Sequence, residues 1–151
     1  MATNKGYTVV ADPDTTAKAL SKEQPISPKL ACEVARMVRG MSVPDARTAL
    51  EEVIAKERPV KLYRYNKRVS HKPGVGPGRY PVKVSKAILA CLESAASNAE
   101  HKGLDAESMV ISTISVARGQ VMPGRMPRAQ GRATEWNQDT VNIEIVISEV
   151  E

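Results

Sequence analysis

TVNIEIVIS, residues Thr140–Ser148, is the stretch from which the fold can be read. Val141, Ile143, Ile145 and Ile147 alternate with Asn142, Glu144 and Ser148. A period of two marks a strand with one face buried on helices and one face wet. MVISTISV, Met109–Val116, reads as a second strand. Between them lies ARGQVMPGRMPRAQGR, Ala117–Arg132, with four arginines, three glycines, two prolines and no acid. It is too long for an ordinary hairpin turn and too poor in large apolar side chains to build a core. The two strands are therefore expected to pair and carry residues 117–139 outward as a long arm. With about 11 residues on each side at ~3.3 Å per residue, the arm reaches roughly 35 Å. Val121, Met122, Pro123, Gly124, Met126 and Pro127 are expected at its tip, with Arg118, Arg125, Arg128 and Arg132 along its sides. An isolated two-stranded ribbon of that length is not stable in water, so something outside the chain must hold it. Its charge implies that this partner is polyanionic. Trp136, near the arm's base, is expected to be a structural plug in preference to a platform for a stacked base.

Upstream, three helices are legible. Ser27 followed by Pro28 is a good start signal. Leu30, Val34, Met37, Val38 and Met41 follow at helical spacing, and Gly40 fits a C-terminal cap. Ser42 and Asp45 open a second helix with the stripe Ala46, Leu50, Val53 and Ile54, ended by Pro59. A third, from about Val82 to His101, buries Val84, Ile88, Cys91, Leu92, Ala95 and Ala99 and closes at Gly103. Thr15–Ser21 is a candidate edge strand. The expected fold is α+β: three helices packed on a small antiparallel three-stranded sheet with a long protruding β-hairpin, in one domain spanning residues 1–151.

Charge is segregated along the chain. The net charge is +5, but residues 56–86 alone carry ten basic side chains and one acid. Within them, residues 59–81 are expected to form a long irregular loop, broken by Pro59, Pro73, Gly74, Gly76 and Pro77. Its Lys61, Arg64, Lys67, Arg68, Lys72 and Arg79 are interleaved with Tyr63, Tyr65 and Tyr80. Cations with planar rings suit phosphates and stacked bases; equally, the tyrosines could merely pin the loop to the core. Lys83 and Lys86 sit at the start of the third helix, where the dipole disfavours cations unless an anion lies nearby.

Positive signs of catalysis are missing. Gly74-Val75-Gly76-Pro77-Gly78 lacks the preceding strand and the Lys-Ser/Thr of a phosphate loop. Glu51 and Glu52 point in different directions on a helix, a poor acid/base pair. Cys32 and Cys91 make no metal spacing with His71 and His101 and are expected to be buried free thiols. No catalytic residue, metal or cofactor is expected. With no signal peptide and no long apolar run, the chain is expected to be soluble and cytoplasmic, without a membrane or a homo-oligomeric partner.

Three stretches together resemble one family. ISPKLACEVARMVRG (Ile26–Gly40) resembles its first helix, SNAEHKGLD (Ser97–Asp105) the end of its long helix, and GRMPRAQGRA (Gly124–Ala133) its extended hairpin. The family is the universal large-subunit ribosomal protein number twenty-two, numbered seventeen in eukaryotes, and the likeness covers roughly residues 15–150. It implies a structural protein of the large ribosomal subunit near the outer opening of the polypeptide exit tunnel. Its hairpin would thread the large ribosomal RNA, line the tunnel wall and aid assembly. It implies partners in large-subunit ribosomal RNA, neighbouring ribosomal proteins and the nascent polypeptide. Arg118, Arg125, Arg128 and Arg132 would then be RNA contacts, joined by Lys67, Arg68, Lys72, Arg79, Lys83 and Lys86 from the basic stretch. Val121, Met122, Pro123 and Gly124 would face the tunnel. The basic insert around Tyr63–Tyr80 and the Trp136-Asn137 pair depart from the bacterial pattern and are similar to the archaeal and eukaryotic branch; the chain's length and lack of a C-terminal tail favour archaea. A competing reading is an architectural DNA-binding protein whose basic ribbon wedges into a minor groove.

Overall fold

The computed structural model describes residues 6–149, so both ends of the expected 1–151 span lie outside the described residues. Three helices pack on one face of an antiparallel sheet, as expected. The sheet consists of β1 (Thr16–Gln24), β5 (Val110–Arg118) and β8 (Val141–Ser148), in the order β1-β8-β5. The candidate strand at Thr15–Ser21 is thus real, is an edge strand, and runs three residues further. β8 lies at the centre. Val110 and Thr16 both face Ser148 at one end, and Arg118 faces Val141 at the other. An irregularity between Ile111 and Thr113 shifts the β5 register, and the Ser112 hydroxyl there donates to the Val146 carbonyl at 3.0 Å.

The helices are α1 (Pro28–Val38), α2 (Val43–Ala55) and α3 (Val82–His101). α3 lies across β1 and β8, α1 packs on β5, and α2 packs on α3. Ala17 and Ala19 on β1 and Ala95 and Ala99 on α3 are all buried, and their small side chains let helix and strand approach closely. Without phenylalanine the core is aliphatic: Ile111, Ile114, Ile143, Ile145, Ile147, Leu50, Ile88, Leu92 and Met109 are among its largest wholly buried side chains. The Ser42 hydroxyl caps α2 by accepting from the Asp45 N–H at 3.3 Å. α2 ends at Lys56 in the left-handed region, φ 66°, three residues before the proline expected to stop it.

Two further expectations are corrected. The outer face of β8 is not wet: Glu144 is 4% exposed and Val146 is buried. The segment from Gly6 to Thr8 lies across it, and the Glu144 carboxylate accepts from the Thr8 N–H at 3.0 Å and the Thr8 hydroxyl at 2.7 Å. Nor is the insert irregular throughout, although residues 62–70 have no strand. It folds as a second small antiparallel sheet of β2 (Val60–Lys61), β3 (His71–Lys72) and β4 (Gly76–Arg79), in the order β2-β4-β3. The Leu62 N–H donates to the Pro77 carbonyl at 2.9 Å, and Val60 and Leu62 reach the interior.

Candidate nucleic-acid interface

Beyond Arg118 the strands β5 and β8 continue as a ribbon. The Gly119 N–H donates to the Thr140 carbonyl at 2.9 Å, and Met122 and Gln138 exchange two backbone hydrogen bonds at 2.9 Å. β6 (Arg125–Pro127) then pairs with β7 (Ala133–Glu135). The Arg128 N–H closes the end on the Arg132 carbonyl at 2.7 Å. The tip is therefore the single 3-10 turn Ala129–Gly131, with Gln130 at φ 62° and Gly131 at φ 68°. Val121–Gly124 lie partway along the outgoing strand, not at the tip. Gly124 is needed there for a different reason than turning. A Cβ at this position would collide with the Trp136 carbonyl oxygen, whose residue donates its N–H to the Gly124 carbonyl at 2.7 Å. Arg128 and Arg132 flank the turn, and both are exposed, as are Arg118 and Arg125. Trp136 is 62% exposed, so it does not plug the arm's base.

The second group of expected contacts lies elsewhere, on the insert and the start of α3. Lys67 and Arg68 are exposed between β2 and β3; Arg79 is exposed on β4; Lys83 and Lys86 lie at the α3 N-terminus, both exposed. Lys72 lies over the Tyr80 ring, 5.4 Å from its centre. α3 has no acid in its first turn, so the unfavourable placement of Lys83 and Lys86 against the dipole is not relieved from within the helix. These cations are carried by different elements from the arginines of the arm.

A further group of cations, on α1, is not among the expected contacts. The polar side of α1 and its C-terminal end carry Lys29, Arg36 and Arg39. Arg36 lies 4.9 Å and Lys61 5.1 Å from the Tyr63 ring centre, and Lys29 4.7 Å from that of Tyr65. Tyr63 and Tyr65 are 54% and 67% exposed: they do not pin the loop to the core but sit outside, bracketed by cations. The pin is Glu33, 5% exposed, which accepts from the Arg64 N–H at 2.8 Å. A cleft of about 440 Å³ opens beside it, lined by Arg36, Arg39, Arg64, Cys32 and β5 residues. The signal was available, since Lys29, Arg36 and Arg39 recur near helical spacing opposite the apolar stripe. Cys32, expected buried, is exposed on this side of α1, whereas Cys91 is buried. Burial pushes the Cys91 thiol up to about 11.

Among the described residues there is no cluster of side chains that could hold a metal ion, and no helix is long and apolar enough to cross a membrane. Fold and charge layout together define a class: a small basic α+β protein that offers an extended arm and exposed cations on its insert and helices. Comparison with known proteins makes this specific. A family model described as ribosomal protein L22p/L17e matches residues 19–148, and the chain belongs to this family. Proteins named large ribosomal subunit protein uL22 are similar to it over nearly their whole length. That of Methanocella arvoryzae is 47% identical, covering 96% of this chain and 97% of its own. That of Methanothrix thermoacetophila is 48% identical over 89% and 90%, and that of Haloarcula marismortui 43% over 96% of each. The relatives are mostly archaeal, in keeping with the insert and the Trp136-Asn137 pair. The family is one of ribosomal structural proteins, not enzymes.

Proposed function

We propose that the chain is a structural component of the cytoplasmic large ribosomal subunit, held there by large-subunit ribosomal RNA. The observation that carries this reading is the arm. A ribbon two strands wide, with no core of its own and four exposed arginines along a run without acids, gains from being enclosed by phosphates. Guanidinium forks pair with phosphate oxygens in two-pronged fashion. The contacts are Arg118, Arg125, Arg128 and Arg132 on the arm, and Lys67, Arg68, Lys72, Arg79, Lys83 and Lys86 on the insert and α3. The whole chain acts as one RNA-binding domain with residues 117–139 as its arm. Val121, Met122, Pro123 and Gly124 border the polypeptide exit tunnel and meet the nascent chain; neighbouring ribosomal proteins cover part of the globular surface. The protein works as a single copy, without a membrane.

Sedimentation tests the reading. The tagged chain, expressed in an archaeal host, should travel with large subunits through a moderate salt wash. Recovery in the soluble fraction alone would overturn it. Competition at matched salt separates RNA from DNA, because phosphate contacts of either kind weaken as salt rises: structured RNA should displace the chain from duplex DNA at lower concentration than the reverse.

A further inference from the structure

The arm has two different faces. Side chains on neighbouring positions of a strand point to opposite sides. Met126 is paired with Thr134 and Met122 with Gln138, and the Trp136–Gly124 hydrogen bond lies between these rows. One face therefore carries Met122, Met126, Thr134, Trp136 and Gln138, and it extends to Arg128, whose Nε donates to the Thr134 hydroxyl at 3.3 Å. The register puts Arg132 in the same row as Arg128. This face has no acid. Arg125 and Glu135 face each other on the opposite side, with Asn137 beside them donating to the Glu135 carboxylate at 3.4 Å.

We propose that Trp136 is a stacking platform for one unpaired base of the bound RNA, entering on the Met122–Trp136–Met126 face. The indole is the arm's one aromatic ring, and the strand opposite it offers glycine, which leaves that flank without a side chain. Two methionines stand diagonally on either side; their thioethers are soft and make favourable contacts with rings. Thr134 and Gln138, on the same face, can reach the polar edges of a base. Arg132 lies four residues further out, roughly 13 Å along the strand, with Arg128 beside it, placed to take the phosphates of the same RNA strand. An apolar protein segment would need the methionines and the indole but not the paired arginines, and this combination is why an RNA base is favoured over a peptide. Because every base has a π-face, such a platform suits any base. The proposal rests on the RNA-binding reading. It also divides the Val121–Gly124 stretch, assigning Met122 and Gly124 to the RNA side and leaving Pro123 on the other.

The chain has one tryptophan, so its emission reports on position 136 alone. The full-length protein is titrated with an end-labelled RNA duplex and with the same duplex carrying one bulged purine, following the label for affinity and Trp136 for stacking. The bulged RNA should quench Trp136 emission strongly and the plain duplex only weakly. Trp136→Leu should weaken binding of the bulged RNA by about 5- to 100-fold, as expected for the loss of one base–aromatic stack, and leave duplex binding unchanged. Trp136→Phe should restore most of the difference. Tight binding of both RNAs with unquenched emission, or equal loss of both in Trp136→Leu, overturns the platform while leaving RNA binding intact. A blue shift on adding an apolar peptide but with neither RNA overturns it in favour of a protein contact. Failure of the unmodified chain to bind either RNA overturns the RNA-binding reading, and the platform with it.

Discussion

A methyl group at position 124 would press on the Trp136 carbonyl oxygen, and this contact is backbone that cannot swing away. Gly124→Ala should open the arm at the row between Met122 and Arg125. Amide exchange should show the Trp136 N–H losing its protection, while the thermal midpoint moves by less than about 2 °C because the change lies outside the core. The two thiols differ as sharply. In the native chain a thiol reagent should modify Cys32 and spare Cys91 until the protein unfolds; Cys32→Ser should abolish the fast phase. Cys91 also makes stability depend on pH. Its pKa is raised from 9.0 to about 11 in the folded chain. Above pH 9 the unfolded chain therefore gives up a proton that the folded chain keeps. The contribution is fully present below pH 9 and is lost as pH rises towards 11, roughly 1 kcal/mol by pH 10. Denaturant unfolding at pH 8 and pH 10 should show this loss in the unmodified chain and a smaller one in Cys91→Ala.

Among the elements, the insert depends on one buried carboxylate. Glu33→Ala removes the acceptor of the Arg64 N–H and should cost about 1–3 kcal/mol. Trypsin should then cut sooner at Lys67 and Arg68, with Glu33→Gln restoring most of the resistance. Equal cutting in all three proteins would mean that β2 and β4 alone hold the insert. The helices were readable because their apolar positions recur with period 3.6, and β8 because its isoleucines recur with period two. The insert's sheet was not readable. Its β4 is Gly-Pro-Gly-Arg, which has none of the branched or aromatic side chains that announce a strand, so only its pairing with β2 and β3 makes it one. The arm's tip was misplaced for a related reason. Pro123-Gly124 resembles a turn, yet Gly124 serves a close backbone approach, and the chain reverses where Gln130 and Gly131 take positive φ. The covered outer face of β8 was hidden because Glu144 looks like a solvent-facing residue until the Thr8 hydrogen bonds are seen. Most of the expected RNA-facing residues were visible as charge. The α1 cations were not, because Lys29, Arg36 and Arg39 look like an ordinary solvated helix face until Tyr63 and Tyr65 fold back onto it.

For the molecule as a whole, the arm and the core should separate energetically. Replacing Arg125, Arg128 and Arg132 together by alanine should weaken RNA binding and lower the salt slope by about 0.7–0.9 for each phosphate that is no longer neutralised. Thermal unfolding should barely change, and a large drop in stability would mean that the arm packs on its own domain. The same separation does not extend to mechanics. β5 and β8 pass from core to arm, and both are flanked. β1 lies along one side of β8, and the α1–α2 link lies along β5, where the Gly40 N–H meets the Ile111 carbonyl at 3.0 Å and the Ile111 N–H meets the Met41 carbonyl at 2.9 Å. A pull along the arm would load these ladders lengthwise, so that all their rungs resist together instead of unzipping one by one. The arm is moored like a tension member, and a tug at its far end would be delivered to the globular body before the strands slip.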